Sequence, residues 1–243
     1  MARGENNVRY AQAPPTRAAS VVYVTLAAQV LSLGALVIFE HSRGHRLATQ
    51  LAAFGGRPHG ADADAVVGAV TVFAVLMMLV AGTAMAAAAA YVNWLVRARQ
   101  ANDRSAPAGP VAAAWLIPGV NLLAPLLLVD EVWRGAGPPH DRRPRWLALL
   151  TAWWLTWLAT LALVTTRLPL GSPSDGLTGI GLPELTCAAV SALLCAATVR
   201  DITRVQCSTS RARGRGRARL RTAGTVTQLP TPPTEPAPLE QTG

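Results

Sequence analysis

The sequence predicts an all-α membrane protein with four transmembrane helices and one proline-broken segment that does not cross the membrane. Of the 243 residues, 51% are hydrophobic and only 14% are charged, whereas soluble domains carry about 25% charged residues. Four uncharged intervals approach or exceed the ~20 residues that a helix needs to cross a bilayer. All 22 basic residues are arginines, and their positions between these intervals indicate which helix ends lie on the same side of the membrane.

The first two spans are predicted from long uncharged intervals. Residues 18–39 contain 22 uncharged residues, more than the 7 to 15 of a signal-peptide core, and "FEHSRGH" after them has no small-residue cleavage pattern. We therefore interpret this interval as a retained helix. Residues 65–96 contain 32 uncharged residues, which predicts a helix that tilts or protrudes from the bilayer.

The third and fourth spans are shorter. Residues 146–166 form an uncharged interval of 21 residues. Residues 185–199 number only 15, so Glu184 is expected at one interface while Arg200 extends its side chain to the other.

The arginine distribution predicts that both termini lie in the cytoplasm, in a multi-pass protein of the cell membrane. With four spans, 18 arginines lie inside and 4 outside, which agrees with the positive-inside rule. The predicted divisions are a cytoplasmic segment 1–19, a four-span membrane domain 20–206 and a tail 207–243. Six arginines at 211–221, followed by a proline-rich end, predict a disordered tail that binds anionic lipid headgroups. Nucleic acid is the less favoured partner.

The segment 110–129 is apolar but is not predicted to be a fifth span. A fifth crossing would place either the arginine-rich tail or the N-terminal arginines outside. Pro118 and Pro125 each remove a backbone donor, so we expect this segment to enter and leave on the cytoplasmic side or to lie in the interface. Asn121 is interpreted as a side chain that braces the break, with direct ligand contact as the alternative.

Several strings resemble a bacterial membrane family called domain of unknown function 4328. They are "WLVRARQAN" at 94–102, "PVAAAWLIPGVNLLAPLLLVDEVWR" at 110–134, the tryptophans at 153–157 and "VRDITRVQ" at 199–206. The residues that match its central motif are Trp94, Arg97, Arg99, Asn102, Pro110, Trp115, Pro118, Asn121, Pro125, Glu131, Trp133 and Arg134. The chain departs from the family pattern in the central break, where small or aromatic residues are usual and this chain has "GVNLLAPLLL". The resemblance implies the membrane architecture and brings no assigned activity.

The tryptophans divide into two groups. Trp153, Trp154 and Trp157 lie 8 to 12 residues inside the third span, too deep for an interfacial aromatic belt. We expect them to fill the bundle interior, and a ligand pocket is the alternative. Trp94, Trp133 and Trp146 lie beside arginines at predicted boundaries and are interpreted as interface anchors.

Small residues recur at every fourth position in two spans. The stripes are Gly82, Ala86 and Ala90 in the second span, and Ala188, Ala192 and Ala196 in the fourth. Such stripes allow helix backbones to approach closely. We expect the two stripes to pack on each other within the monomer, and a homodimer contact is the alternative.

No motif points to catalysis, to a cofactor or to a metal. His41 and His45 could share a helical face, but Gly44 lies between them and a solvated loop is favoured. The three cysteines form no CxxC pair. Glu131 is expected to pair with Arg97, Arg134 or another nearby arginine rather than to act as an acid or base.

These observations favour a non-catalytic membrane interaction or scaffold protein, associated with the bilayer, with copies of itself or with other membrane proteins. The alternative is a small permeation or transport module with the broken segment 110–129 at its site, because broken helices mark substrate sites in transporters. An intramembrane enzyme ranks third, behind both of these, because the sequence offers no candidate pair of catalytic groups.

Overall fold

Helices form nearly all of the chain that the structure describes. The computed structural model describes residues 15–44, 62–103, 106–107, 109, 111, 123–170 and 180–226. The helices are α1 (Thr16–Phe39), continued by a π-helical turn (Glu40–Gly44), then α2 (Asp62–Asn102), α3 (Ala124–Gly135), a 3-10 turn (His140–Arg142), α4 (Arg143–Leu170) and α5 (Leu182–Val226). None of the described residues forms a strand.

Four helices are long and apolar enough to cross a membrane. The qualifying segments are Thr16–Gly44, Val66–Asn102, His140–Thr166 and Leu182–Arg211. They coincide with the four intervals predicted from the sequence, and only residue 65 of the second interval falls outside them. The chain is thus an all-α, multi-pass membrane protein.

The four spanning helices alternate in direction. Ala18 near the start of α1, Trp94 near the end of α2 and Trp146 near the start of α4 share one core cluster with Ile202 of α5. A second cluster, at the opposite end, joins the far parts of α1, α2 and α5. The end with the first cluster also carries Arg97, Arg99, Arg134, Arg142, Arg143, Arg145, Arg200 and Arg204, and is called the Arg-rich end.

The segment between α2 and α3 begins and finishes at the Arg-rich end. Asn102, the last residue of α2, bonds directly to Val132 of α3, so the end of α2 and α3 lie beside each other at this end of the bundle. This is the topology expected of a segment that does not cross the membrane. The positions predicted to break it, Pro118 and Asn121, together with Pro110 and Trp115, lie outside the described residues.

α1 and α5 form the centre of the bundle. α1 packs against α2 and α5, and α5 packs against α4, whereas the Cα traces of α2 and α4 do not approach within 8 Å of one another in the described residues. Aromatic side chains bridge the two outer helices, because the Tyr91 and Trp153 rings lie 5.7 Å apart. The order across the bundle is therefore α2, α1, α5, α4.

Polar side chains join α1 to α2 halfway along the membrane. The Thr83 hydroxyl donates to Gln29 Oε1 at 2.6 Å and lies 2.9 Å from the Ser32 hydroxyl. Within hydrocarbon these groups have no water to bond, so they satisfy one another and fix the register of the two helices.

Thr83→Val is expected to weaken the α1–α2 contact by about 0.6 kcal/mol, the average for interhelical hydrogen bonds in membranes. The change keeps the side-chain shape and removes the hydroxyl. The free energy of unfolding in mixed detergent micelles measures it, with Thr71→Val as the control, since the exposed Thr71 hydroxyl bonds only to Val67 O of its own helix. Equal losses for both variants would contradict an interhelical role.

The predicted packing of the two small-residue stripes on each other is wrong. Gly82 and Ala86 are exposed and only Ala90 is buried, and a Cβ on Gly82 would meet no atom within 4 Å. α2 instead meets α1 through the neighbouring face that carries Thr83 and Ala87. Gly82 and Ala86 therefore face outward from the monomer.

Pro125 begins a helix rather than interrupting one. It lies in the first turn of α3 and is buried, where the missing backbone donor has no intrahelical partner to lose. α3 buries Val129, Asp130, Val132 and Trp133 and exposes Leu127, so it is amphipathic. Its buried face points at the ends of α2, α4 and α5.

The final helix continues beyond the predicted boundary at residue 206. α5 extends to Val226 and includes the arginine-rich stretch 211–221, for which the sequence predicted disorder. Arginine and alanine are strong helix formers, and two glycines at a cost of about 1 kcal/mol each do not outweigh them. The first proline of the tail comes only at Pro230, and residues 227–243 lie outside the described part of the chain.

Candidate functional site

A buried carboxylate on α3 organises the Arg-rich end. The Asp130 side chain is 12% exposed and accepts two hydrogen bonds from Arg143, at 2.7 and 2.9 Å. It also accepts one from Trp146 Nε1 at 3.0 Å, and Arg134 Nε lies 3.1 Å from its second oxygen. One carboxylate thus ties the end of α3 to the start of α4.

Two stacked tryptophans form the apolar floor of this arrangement. The Trp133 and Trp146 rings are 5.2 Å apart and nearly parallel, at 3°, and the Arg143 guanidinium lies 5.5 Å from the Trp133 centroid. Trp133 Nε1 donates to Asp201 of α5 at 3.1 Å. We call Asp130, Trp133, Arg134, Arg143 and Trp146 the Asp130 cluster.

The Asp130 cluster holds its carboxylate in the charged form. Burial alone would raise the pKa of Asp130, but hydrogen bonds from Arg143 and Trp146 and the charges of Arg143 and Arg134 outweigh it and set the pKa below its ordinary value. The carboxylate therefore stabilises the fold above its ordinary pKa, and that contribution is lost only as the pH falls through the lowered value.

A second set of amide contacts fastens α3 to α2 and α5. Asn102 Nδ2 donates to Val132 O at 2.8 Å. Gln206 Nε2 of α5 donates to Ala98 O at 2.8 Å and to Asn102 Oδ1 at 3.1 Å. Three helices thus converge on Asn102, one of the residues that the sequence singled out.

Gly135 makes this convergence possible. A Cβ added there would lie 2.8 Å from Asn102 Nδ2, closer than the two atoms can approach. A side chain at this position would have to displace the Asn102 amide, so glycine lets the last turn of α3 lie directly against it.

The predicted pairing of Glu131 with a nearby arginine is confirmed, and its partner is Arg99. Arg99 Nη2 lies 3.3 Å from Glu131 Oε1, with the glutamate side chain 58% exposed. Arg97 instead donates to Asn93 on its own helix. A shallow groove of about 360 Å³ lies beside the pair and is lined by Arg99, Asn102, Asp103 and Glu131, among others.

The tryptophans predicted to be interface anchors are core residues. Trp94, Trp133 and Trp146 are 0%, 2% and 2% exposed, so this prediction is wrong. The neighbouring arginines suggested a boundary, but those arginines surround a packed end of the bundle. Hydropathy along the chain does not distinguish a Trp that faces lipid from one that faces other helices.

The prediction that the central tryptophans fill the interior is confirmed for Trp153 and Trp154, which are 3% and 5% exposed. Trp157 is partly buried and stacks on Trp154 at 4.8 Å and 18°. Tyr91 of α2 completes the aromatic packing between α2 and α4.

Sequence reasoning missed the residues that bind the site together: Asp130, Arg143, Asp201 and Gln206. Asp130 has the clearest signal, because it lies between the apolar residues Val129 and Trp133 on the buried face of an amphipathic helix. A charged residue on such a face requires a partner of opposite charge. Which arginine serves as that partner is decided by the tertiary structure.

Metal binding finds no support among the described residues, where no three His, Cys, Asp or Glu side chains come together. His41 lies in the π-helical turn after α1, and His45 lies outside the described part of the chain. The guanidinium groups at the Arg-rich end can bind anions, and one of them, that of Arg143, packs over the Trp133 ring.

Comparison with known proteins gives a family but no characterised relative. No curated protein and no solved structure matches the chain. The family described as Domain of unknown function (DUF4328) matches residues 57–204, more than half of the 243 residues. That region includes α3, the whole Asp130 cluster and Asp201. The chain therefore belongs to the DUF4328 family.

Proposed function

We propose that this protein is a non-catalytic membrane interaction module that associates with a second copy of itself through the outward face of α2. The main support is the exposure of α2. In its most apolar stretch of 18 residues only 6% of the residues are buried, whereas the corresponding stretches of the other spanning helices have 17% to 28% buried. Gly82 and Ala86 lie on the exposed face, where small residues allow close helix contact.

The polar groups at the Arg-rich end favour a structural role over catalysis. Asp130 accepts bonds from Arg143 and Trp146, and Glu131 pairs with Arg99. A catalytic acid or base needs a pKa near the working pH, whereas the pKa of Asp130 is lowered. These carboxylates are suited to holding helices together.

The aromatic packing favours an interaction module over a permeation module. Tyr91, Trp153 and Trp154 fill the space between α2 and α4 with rings that are nearly fully buried. A solute pathway through the described bundle would have to displace them.

Disulfide crosslinking in membranes tests the association. With Cys187, Cys195 and Cys207 replaced by alanine, we expect Gly82→Cys to form a disulfide-linked dimer on mild oxidation, because the residue faces outward at a close-contact position. Leu31→Cys is the matched control, since Leu31 is 73% exposed on a different helix. Dimer formation equal to the control, or none, would contradict the proposal.

We further propose that both termini face the cytoplasm and that the arginines of 211–221 bind anionic lipid headgroups. The Arg-rich end carries the start of α1 and the later part of α5, so one side accounts for both termini. The positive-inside rule supports the cytoplasm as that side. Nucleic acid is the less favoured partner, because no aromatic side chains alternate with the tail arginines.

Cys207 reports the orientation. With Cys187 and Cys195 changed to alanine, we expect a membrane-impermeant maleimide to leave Cys207 unlabelled in intact cells and to label it after permeabilisation. Ser174→Cys, in the chain between α4 and α5, should label in intact cells when Cys207 is also replaced. The opposite pattern would place the Arg-rich end outside.

A further inference from the structure

The structure holds a second groove at the Arg-rich end, and its chemistry is that of an anion site. Its volume is about 650 Å³, and it is lined by Trp133, Arg134, Gly137, Pro138, Pro139, His140 and Arg143. Trp133 and Arg143 belong to the Asp130 cluster, and the turn between α3 and α4 completes the walls. We propose that this groove binds the headgroup of an anionic phospholipid.

The first support is the charge balance. Asp130 is the one acidic group that pairs with the groove arginines among the described residues, and it is shared by Arg134 and Arg143. One carboxylate neutralises one of the two guanidinium groups, so the groove keeps a positive charge. Arg142 and Arg145, both exposed, lie beside it, and Asp141 offsets only one of them.

The second support is that the two arginines use different nitrogens to contact Asp130. Arg143 uses both of its terminal nitrogens on Asp130 and is fixed over the Trp133 ring. Arg134 contacts Asp130 through Nε, and its side chain is 60% exposed. The two terminal nitrogens of Arg134 can therefore form the paired hydrogen bonds that guanidinium makes with phosphate.

The third support is the depth of the groove. The uncharged part of α4 begins at Trp146, and Arg143 lies three residues earlier, a rise of about 4.5 Å. The headgroup layer extends about 5 to 7 Å beyond the hydrocarbon on each side. The guanidinium groups thus lie at the level of lipid phosphates, while the exposed Leu127 of α3 and Leu123, just before α3, are placed to meet acyl chains.

The test compares lipid selectivity in reconstituted vesicles of phosphatidylcholine. Spin-labelled phosphatidylglycerol should associate with the wild-type protein more strongly than spin-labelled phosphatidylcholine does. Arg134→Gln is expected to weaken the association of phosphatidylglycerol about tenfold, because it removes the paired, charge-assisted hydrogen bonds to the phosphate. Arg134→Lys should also weaken it, because lysine keeps the charge without the paired geometry.

Arg97→Gln is the matched control. It removes the same charge from an exposed arginine at the same end of the bundle, outside the groove, and should change the association less than twofold. Equal losses for Arg134→Gln and Arg97→Gln would show diffuse surface attraction only and overturn the site. Displacement of the labelled lipid by excess inorganic phosphate would identify a soluble anion as the occupant and would overturn the lipid assignment.

The variants are expected to fold, because the Arg134 side chain is 60% exposed and the buried Asp130 retains its two bonds from Arg143. An unchanged melting temperature of Arg134→Gln confirms this in the same preparation. The outcome is independent of dimer formation, because Gly82 and Ala86 lie in the second span, two turns or more from the Arg-rich end of α2.

Discussion

Asp130→Asn is expected to lower the free energy of unfolding by about 2 to 3 kcal/mol, a large effect for a change that replaces one carboxylate oxygen by an NH2 group. Asparagine keeps the size of the side chain but loses the charge that Arg143 requires. The Arg143 guanidinium then faces an amide in place of the carboxylate that accepts both of its bonds. Unfolding in mixed micelles, followed by far-ultraviolet circular dichroism, measures the loss.

Glu131→Gln is the control for this prediction. Glu131 is the next residue on the same helix and also pairs with an arginine, but its side chain is 58% exposed. The Arg99 side chain is 14% exposed but Glu131 is open to water, so the control should lose about 1 kcal/mol, the upper end for exposed pairs and less than the Asp130 effect. Equal losses would mean that burial of Asp130 does not determine its contribution.

The pH dependence of the same pair of proteins provides a second readout. Because the pKa of Asp130 is lowered by the folded structure, its stabilising effect is complete at neutral pH. The difference between wild type and Asp130→Asn should remain constant as the pH falls to the ordinary carboxylate range and should vanish below it. A difference that disappears at weakly acidic pH would contradict the charged, hydrogen-bonded state.

Trp133→Phe and Trp146→Phe are expected to cost about 1.5 to 3 kcal/mol more than Trp94→Phe, although all three tryptophans are buried to the same degree. Trp133 donates to Asp201 and Trp146 donates to Asp130, and phenylalanine removes both donors. The Trp94 indole nitrogen is buried and has no hydrogen-bond partner among the residues that the structure describes. Its removal therefore breaks no bond and relieves an unpaired donor.

The loss of volume is the same in each of these substitutions, so the comparison isolates the hydrogen bond. Unfolding free energies in one detergent mixture, measured for the three variants side by side, check the ranking. Trp94→Phe as the most damaging variant would show that packing volume, and not the bonds to α3 and α5, governs the stability of the Arg-rich end.

The positions of the spanning helices along the chain and their membrane character follow from the sequence alone. Hydrophobicity acts locally, so an uncharged interval such as 146–166 predicts a spanning helix whatever lies around it. The arginines act through the bilayer in the same additive way, and they predicted that 110–129 returns to the side that it left. The bond from Asn102 to Val132 places the end of α2 beside α3, as that prediction requires, while the course of the segment itself stays a prediction.

The family resemblance was also recoverable from local strings, because the match to residues 57–204 includes the motif that runs from Trp94 to Arg134. What these strings do at the Arg-rich end was not recoverable. Trp94, Trp133 and Trp146 were interpreted as lipid-facing because each lies beside an arginine, and side-chain direction depends on helix rotation that hydropathy does not encode.

The tertiary structure alone decided which polar groups meet. Asp130, Arg143 and Asp201 lie on three helices, separated by 13 residues in one pair and by 68 in the Trp133–Asp201 contact. A charge buried at such a junction is stable only where partners from other helices converge on it, and convergence is a property of packing. The sequence by itself thus determined the spans and their number, through transfer and charge effects that add along the chain. The site at the Arg-rich end exists only because packing brings α4 to the Asp130 carboxylate of α3 and brings Asp201 of α5 to Trp133, at hydrogen-bonding distance.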